Sequence, residues 1–139
     1  LKNKFIYYVG PVDAVRNEVI GPAGPTTASR MDQFMEMMLA ELGIMGTIGK
    51  AERGESAVQT IKKYQSVYLS AVGGAAYLVS KAITSSKVVA FPELGMEAIY
   101  EFEVKDMPVM VSIDTYGKSI YSEAPSRWKN KSIPINSLK

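Results

Sequence analysis

The chain has 139 residues, enough for one domain with a real core, and its 47 % apolar and 22 % charged residues are ordinary globular composition. A net charge of +2 is too small to argue for nucleic acid, and no RNP-like aromatics, recognition-helix signature or basic run stands beside it. Zero cysteines exclude a disulfide framework, a thiolate zinc site and an iron–sulfur cluster held by this chain; zero histidines remove the commonest general base and metal ligand.

Any catalysis must therefore use Thr, Lys, Arg, Asp or Glu, or borrow from a partner. The first residues, LKNKFIYYVG, lack the apolar run and cleavage site of a secretory leader. The longest uncharged run, YQSVYLSAVGGAAYLVS (64–80), is interrupted by Gly73-Gly74 and falls short of a membrane span, so two buried elements broken at the glycines are expected. A cytoplasmic chain with no membrane partner follows as the expectation. The first residue is Leu1 rather than methionine, consistent with a missing upstream piece.

Taken in order, FIYYV (5–9) is a short β-rich run, hence a strand. After a turn at GPVD, residues 15–20 are expected to extend as a second strand ahead of a glycine–proline loop. From Arg30 the period changes: Met31, Phe34, Met35, Met38 and Leu42 fall on one face of an amphipathic helix, stopped by Gly43. The methionines on that face are most simply core. IMGTI (44–48) reads as a buried strand. GESAVQTIKKY (54–64) reads as a helix with Ser56 as its N-cap. VYLSAV (67–72) is a further buried strand, and AAYLVSKAI (75–83) a short helix. KVVAF (87–91) is a strand, PELGMEA (92–98) a turn, and IYEFEV (99–104) and PVMVSID (108–114) two closing strands.

Helices alternating with continuous apolar strands predict an α/β fold with a mostly parallel core sheet, the last two strands forming an added antiparallel meander. The domain is expected over residues 1–121. Residues 122–139, polar with two prolines, are expected to form an extended C-terminal tail in which Trp128 serves as an anchor.

GPAGPTTASRMDQF (21–34) carries the clearest chemistry. Gly21, Gly24 and Pro25 lead through Thr26, Thr27 and Ser29 to Arg30 at a helix start. Glycines admit close approach, a helix N-terminus offers unpaired N–H groups, and a guanidinium fork matches a carboxylate or phosphate. The plainer alternative is that Thr27 or Ser29 caps the helix and Arg30 is a solvated first-turn residue. IGKAERG (48–54) follows a buried strand and puts Lys50 at its carboxyl end, the edge where open α/β sheets bind ligands; the alternative is a solvated lysine beside Glu52 and Arg53. This is not a P-loop, because the glycine four residues ahead of a Gly-Lys-Ser/Thr is missing. Gly73-Gly74 fits tight strand–helix packing or approach to a phosphate, and Glu93 and Glu97 fit a surface turn better than paired acid–base work.

In order, YYVGPVD, GPAGPTTASRMD, GTIGKAERG, VYLSAVGGAAYLVSKAI and VVAFPELGMEAIYEFEVKDMPVMVSIDTYGKSI closely resemble the β-subunit, or C-terminal domain, of iron–sulfur class I fumarases and L-tartrate dehydratases. The resemblance runs from about Tyr7 to Trp128. It implies a swivelling three-layer β/β/α domain that docks on a cluster-bearing α-subunit, with the active site between the two. It implies a 4Fe–4S cluster held by the partner's cysteines, its iron serving as Lewis acid, and a small dicarboxylate as the anion. An αβ or α2β2 assembly would be usual.

On the same ground, Thr26 is implied as the proton-transfer group at the reacting carbon, helped by an aspartate of the other domain because a threonine hydroxyl alone is a poor base. Arg30 and Lys50 are implied as carboxylate ligands, with Thr27, Ala28 and Ser29 forming the loop around the substrate. Family members carry a further arginine on a segment ahead of the YYVGP strand, which this sequence lacks, so carboxylate binding by the chain alone is expected to be weak. The competing readings are a non-catalytic dicarboxylate-binding or protein-interaction module and, on the glycine loops alone, a phosphate or nucleotide binder.

Overall fold

The computed structural model describes residues 1–129. Strands β1 (Phe5–Tyr7), β2 (Gly46–Gly49) and β3 (Val67–Ala71) pair in parallel, and β6 (Val109–Ile113) adds antiparallel to β3, giving the order β1-β2-β3-β6. A second, two-stranded sheet pairs β4 (Ile83–Ala90) with β5 (Ile99–Val104) antiparallel. The mixed α/β class and mostly parallel sheet agree with the sequence. The closing strands do not form one meander: β5 joins β4 and β6 joins β3. The meander expectation followed adjacency along the chain, whereas β6 passes β5 to close on the apolar edge of β3.

Helices α1 (Met35–Ala40) and α2 (Glu55–Lys63) contribute to the core beside this sheet, and α3 (Ala76–Lys81) leads into β4. The core gathers Tyr8, Met35, Met38, Leu39, Ile44, Ala57, Ile61, Tyr68 and Ile113. Met35 and Met38 fill it as the periodicity requires and Met31 packs against it, but Phe34 and Leu42 of the same stripe are 41 % and 37 % exposed. The reasons are local: residues Ala28–Phe34 wind as a 3₁₀ helix, whose three-residue turn rotates Phe34 away from the α-helical alignment, and α1 ends at Ala40, which leaves Leu42 beyond the helix. Gly43 ends the element with φ +63, the left-handed stop its position implied.

Two other expectations change. Residues 15–20 form no strand: Val12 and Gly21 close a loop through Gly21 N–H to Val12 O (2.9 Å) and Val12 N–H to Pro22 O (3.1 Å), and Val15 and Val19 remain exposed. Ser56 is not the cap of α2; Gly54 is, and its amide donates to Asp32 Oδ2 at 2.7 Å. Within the expected extended tail, residues up to Lys129 belong to helix α4 (Ile120–Lys129), on which Trp128 is 66 % exposed; residues 130–139 lie outside the described part.

Candidate functional site

The site begins where β1 and β2 part. Their ladder ends with Tyr8 N–H donating to Ile48 O at 2.8 Å, and the chain at 25–28 then enters the fork. Thr26 N–H donates to Tyr8 O (2.8 Å), Lys50 N–H to Thr26 O (3.0 Å) and Ala28 N–H to Lys50 O (3.2 Å). Bridges pair Val9 with Pro25 and Thr27 with Lys50. The loop read as an anion cradle is thus a short false strand wedged between two real ones. The amides of Thr26 and Ala28 are consumed in doing so, and Ala28 is fully buried.

Close approach makes the wedge fit. A Cβ on Gly49 would meet Ala28 Cβ at 2.9 Å, Tyr8 Cδ2 at 3.2 Å and Thr26 O at 3.3 Å. A Cβ on Gly24 would stand 3.0 Å from Ala76 Cβ, while Ala23 N–H donates to Ala76 O at 3.1 Å. These contacts bring the start of α3 beside the loop. The Gly73-Gly74 pair has a different use from the tight packing expected. Gly74 has φ +81, which only glycine adopts without strain, and a Cβ on Gly73 would meet nothing closer than Lys50 Cδ, 3.9 Å away. The three glycine-containing stretches singled out in the sequence therefore meet at one edge, the carboxyl ends of β1, β2 and β3, where open α/β sheets bind ligands.

At that edge Ser29, Arg30 and Lys50 are exposed, and Thr26 and Thr27 half-buried. Among the described residues neither Arg30 nor Lys50 enters an ion pair, and the hydroxyls of Thr26 and Thr27 have no hydrogen-bond partner. Thr27 stands at the N-cap of the 3₁₀ segment without making a cap bond, so the capping half of the plainer account does not hold, while Arg30 is exposed as its other half required. Glu93 and Glu97 lie exposed on the turn after β4, as a surface turn requires.

Sequence reasoning missed the centre of the arrangement. Arg53, read only as a neighbour of Lys50, has a fully buried side chain. Its Nε donates to Asp32 Oδ1 at 2.5 Å and its Nη1 to Thr47 Oγ1 at 3.1 Å. The guanidinium carbon lies 5.7 Å from the Tyr8 ring centroid and 5.1 Å from that of Tyr68, close enough for cation–π attraction. Burial pushes the phenol of Tyr8 up, and that of Tyr68 up to about 12, against the opposing pull of Arg53 on each. The Tyr68 hydroxyl donates to Ala51 O at 2.9 Å, tying down the turn that follows Lys50. Arg53 and Asp32 stand 21 positions apart on two loops, a pairing that no local period reveals.

Residues 1–124 match the fumarase C-terminus family. The chain is 37 % identical over 124 residues to the aerobic class I fumarate hydratase of Escherichia coli (strain K12), covering 88 % of this chain and 23 % of that protein. It is 36 % identical over 124 residues to fumarate hydratase 2 of Leishmania major, covering 88 % of this chain and 22 % of the relative. A Methanocaldococcus jannaschii protein provisionally named L(+)-tartrate dehydratase subunit beta is 36 % identical over 128 residues, with 88 % of this chain and 66 % of the relative covered. The chain thus spans less than a quarter of the fumarate hydratases and about two thirds of the subunit-sized relative. With a match that takes in nearly all the described residues and the whole fork, the chain belongs to the fumarase C-terminus family.

Proposed function

We propose that this chain is the β-subunit of a hydro-lyase, hydrating fumarate to malate or dehydrating tartrate to oxaloacetate, and that it supplies carboxylate-binding and proton-transfer groups to a site shared with an α-subunit. The observation that carries the proposal is the pair of exposed cations, Arg30 and Lys50, without ion-pair partners among the described residues, at the edge where Thr26 is held. Arg30 grips one substrate carboxylate with its fork and Lys50 another as a point charge. Thr27 and Ser29 add hydroxyls beside them, and Ala28 ties the loop to Lys50 through its amide. Thr26 moves the proton at the reacting carbon, relayed through a carboxylate of the partner because a threonine hydroxyl is itself a poor base. Fixing the substrate between two such groups removes much of its freedom before reaction.

The donor set of this chain does not fit a 4Fe–4S cluster. It has no cysteine and no histidine, and among the described residues no group of three or more His, Cys, Asp or Glu is placed to hold a metal ion. In our reading the cluster belongs to the partner, the swivelling three-layer domain closes over it, and the enzyme is a cytoplasmic αβ or α2β2 assembly.

The test is an anaerobic reconstitution with the cluster-bearing partner, following fumarate and tartrate separately. Lys50→Ala and Arg30→Ala are each expected to lower kcat/KM by about 30- to 1000-fold, corresponding to ~2–4 kcal/mol of transition-state stabilisation. Thr26→Ala should lower kcat more than it raises KM. Both cation variants within about threefold of wild type would reject the assignment, by the same conversion. Tight dicarboxylate uptake by this chain alone, with no turnover in the mixture, would favour a binding module.

A further inference from the structure

We propose that Arg53 is a positioning residue for this site, setting Arg30 through Asp32 and Lys50 through the turn that follows it; the inference rests on the reading of Arg30 and Lys50 given above. Asp32 lies two residues beyond Arg30 in the same 3₁₀ segment, and Arg53 three residues beyond Lys50. Both carboxylate oxygens of Asp32 are engaged with the second loop, Oδ1 by Arg53 Nε and Oδ2 by the Gly54 amide. Arg53 also reaches Thr47 on β2 and lies by the rings of Tyr68 on β3 and of Tyr8, the residue that follows β1, so one guanidinium ties the Lys50 turn to two parallel strands and the end of the third. The backbone ladder through Thr26, Ala28 and Lys50 fixes the near ends of the two loops, and the Arg53–Asp32 pair fixes the far ends.

Stability does not explain this pair. A buried ion pair is often no better for folding than apolar residues of similar volume. Here the cost is raised further by the Nη2 atom of Arg53, which is buried without a partner among the described residues. What charge and a planar fork provide that an apolar filler does not is a fixed direction between two loops. The side chain itself is fully buried, so it acts through Asp32 and the 50–54 turn rather than on substrate.

The discriminating variant is Arg53→Met with Asp32→Asn. It leaves no buried charge, and the asparagine oxygen still accepts from the Gly54 amide. The expected result is a folded chain whose thermal midpoint stays near that of wild type. Amide hydrogen exchange at Thr26, Ala28 and Lys50 should quicken by roughly tenfold or more, while Val67–Ala71 stays protected. In the assembled enzyme KM for the dicarboxylate should rise by about tenfold or more, and adding Lys50→Ala should change it less than additively. Arg53→Lys, which keeps charge but not the fork, should show the same exchange pattern and covers the case in which the double variant fails to fold. Unchanged exchange at those three amides in a folded variant would overturn the proposal, as would wild-type KM. Failure of the functional reading is separable: it would show as wild-type activity in Lys50→Ala, before Arg53 is altered.

Discussion

Gly49→Ala tests whether the site depends on the wedge between β1 and β2. The added methyl would sit 2.9 Å from Ala28 Cβ, inside the distance that real Cβ contacts keep, and 3.2 Å from the ring of Tyr8. Neither neighbour moves freely. Ala28 is fully buried and bound to Lys50 O, and Tyr8 is buried with its amide in the ladder to Ile48. Inserting one methyl into such packing costs about 1–3 kcal/mol. For a domain of this size that is roughly 4 °C in thermal midpoint per kcal/mol, and the urea midpoint should fall without a change in slope. The closest contact is with Ala28 Cβ, so Ala28→Gly in the same chain should recover much of the loss. The two changes should couple favourably by about 1 kcal/mol in a double-mutant cycle. Because the strain falls on the chain carrying Thr26, kcat/KM in the assembly we propose should drop further than stability requires. A stable Gly49→Ala, or one that Ala28→Gly leaves no better, would refute the close packing of loop on strand.

Two more outcomes follow from the core and its titrating groups. Met35→Ala should destabilise the chain by about 2–5 kcal/mol in urea unfolding, while Met37→Ala, two positions on but exposed, should stay within ~0.5 kcal/mol. The phenol of Tyr68 is raised from 10.0 to about 12 by burial, so the folded state keeps a proton that the unfolded state loses. Its stabilising share is therefore complete below pH 10.0 and disappears as pH climbs to about 12. Tyr68→Phe should flatten that alkaline decline in urea midpoints, and an unchanged decline would remove Tyr68 as its source.

The sequence was most legible where one element decides its own fate. The apolar runs at 44–48 and 67–72 became β2 and β3, and the Met35–Met38 stripe became core. It was least legible where two distant stretches decide together. Residues 15–20 have strand-forming valines and isoleucine, but ladder partners were taken by the 25–28 segment, which starts at a proline and reads as a loop despite its two threonines. Ser56 has the right chemistry for a cap, but the N-cap lies two residues earlier at Gly54, whose amide is taken by Asp32 from another loop. Arg53 shows the same limit: a charged residue in a turn is solvated by default, and only the arrival of Asp32, Thr47 and two tyrosine rings makes its burial tolerable. The candidate cations were visible early because exposure is their default.

That contrast bears on how such a site works. Arg30 and Lys50 are long side chains that lose about 2 kcal/mol of rotamer freedom each when fully fixed. Here the protein fixes their backbones through the ladder at Thr26, Ala28 and Lys50 and through the Arg53–Asp32 pair, and leaves their tips in solvent. The remaining ordering is left to whatever binds, and in water the attraction of each tip for a carboxylate is only about 1 kcal/mol at contact distance. A dicarboxylate meeting this edge alone therefore gains little. The same two charges gain several-fold more once a second surface closes and excludes water. A site split in this way keeps its rigid part in the sheet and its strong electrostatics conditional on closure. This is why, in the function we propose, the groups on this chain count only in the assembled enzyme.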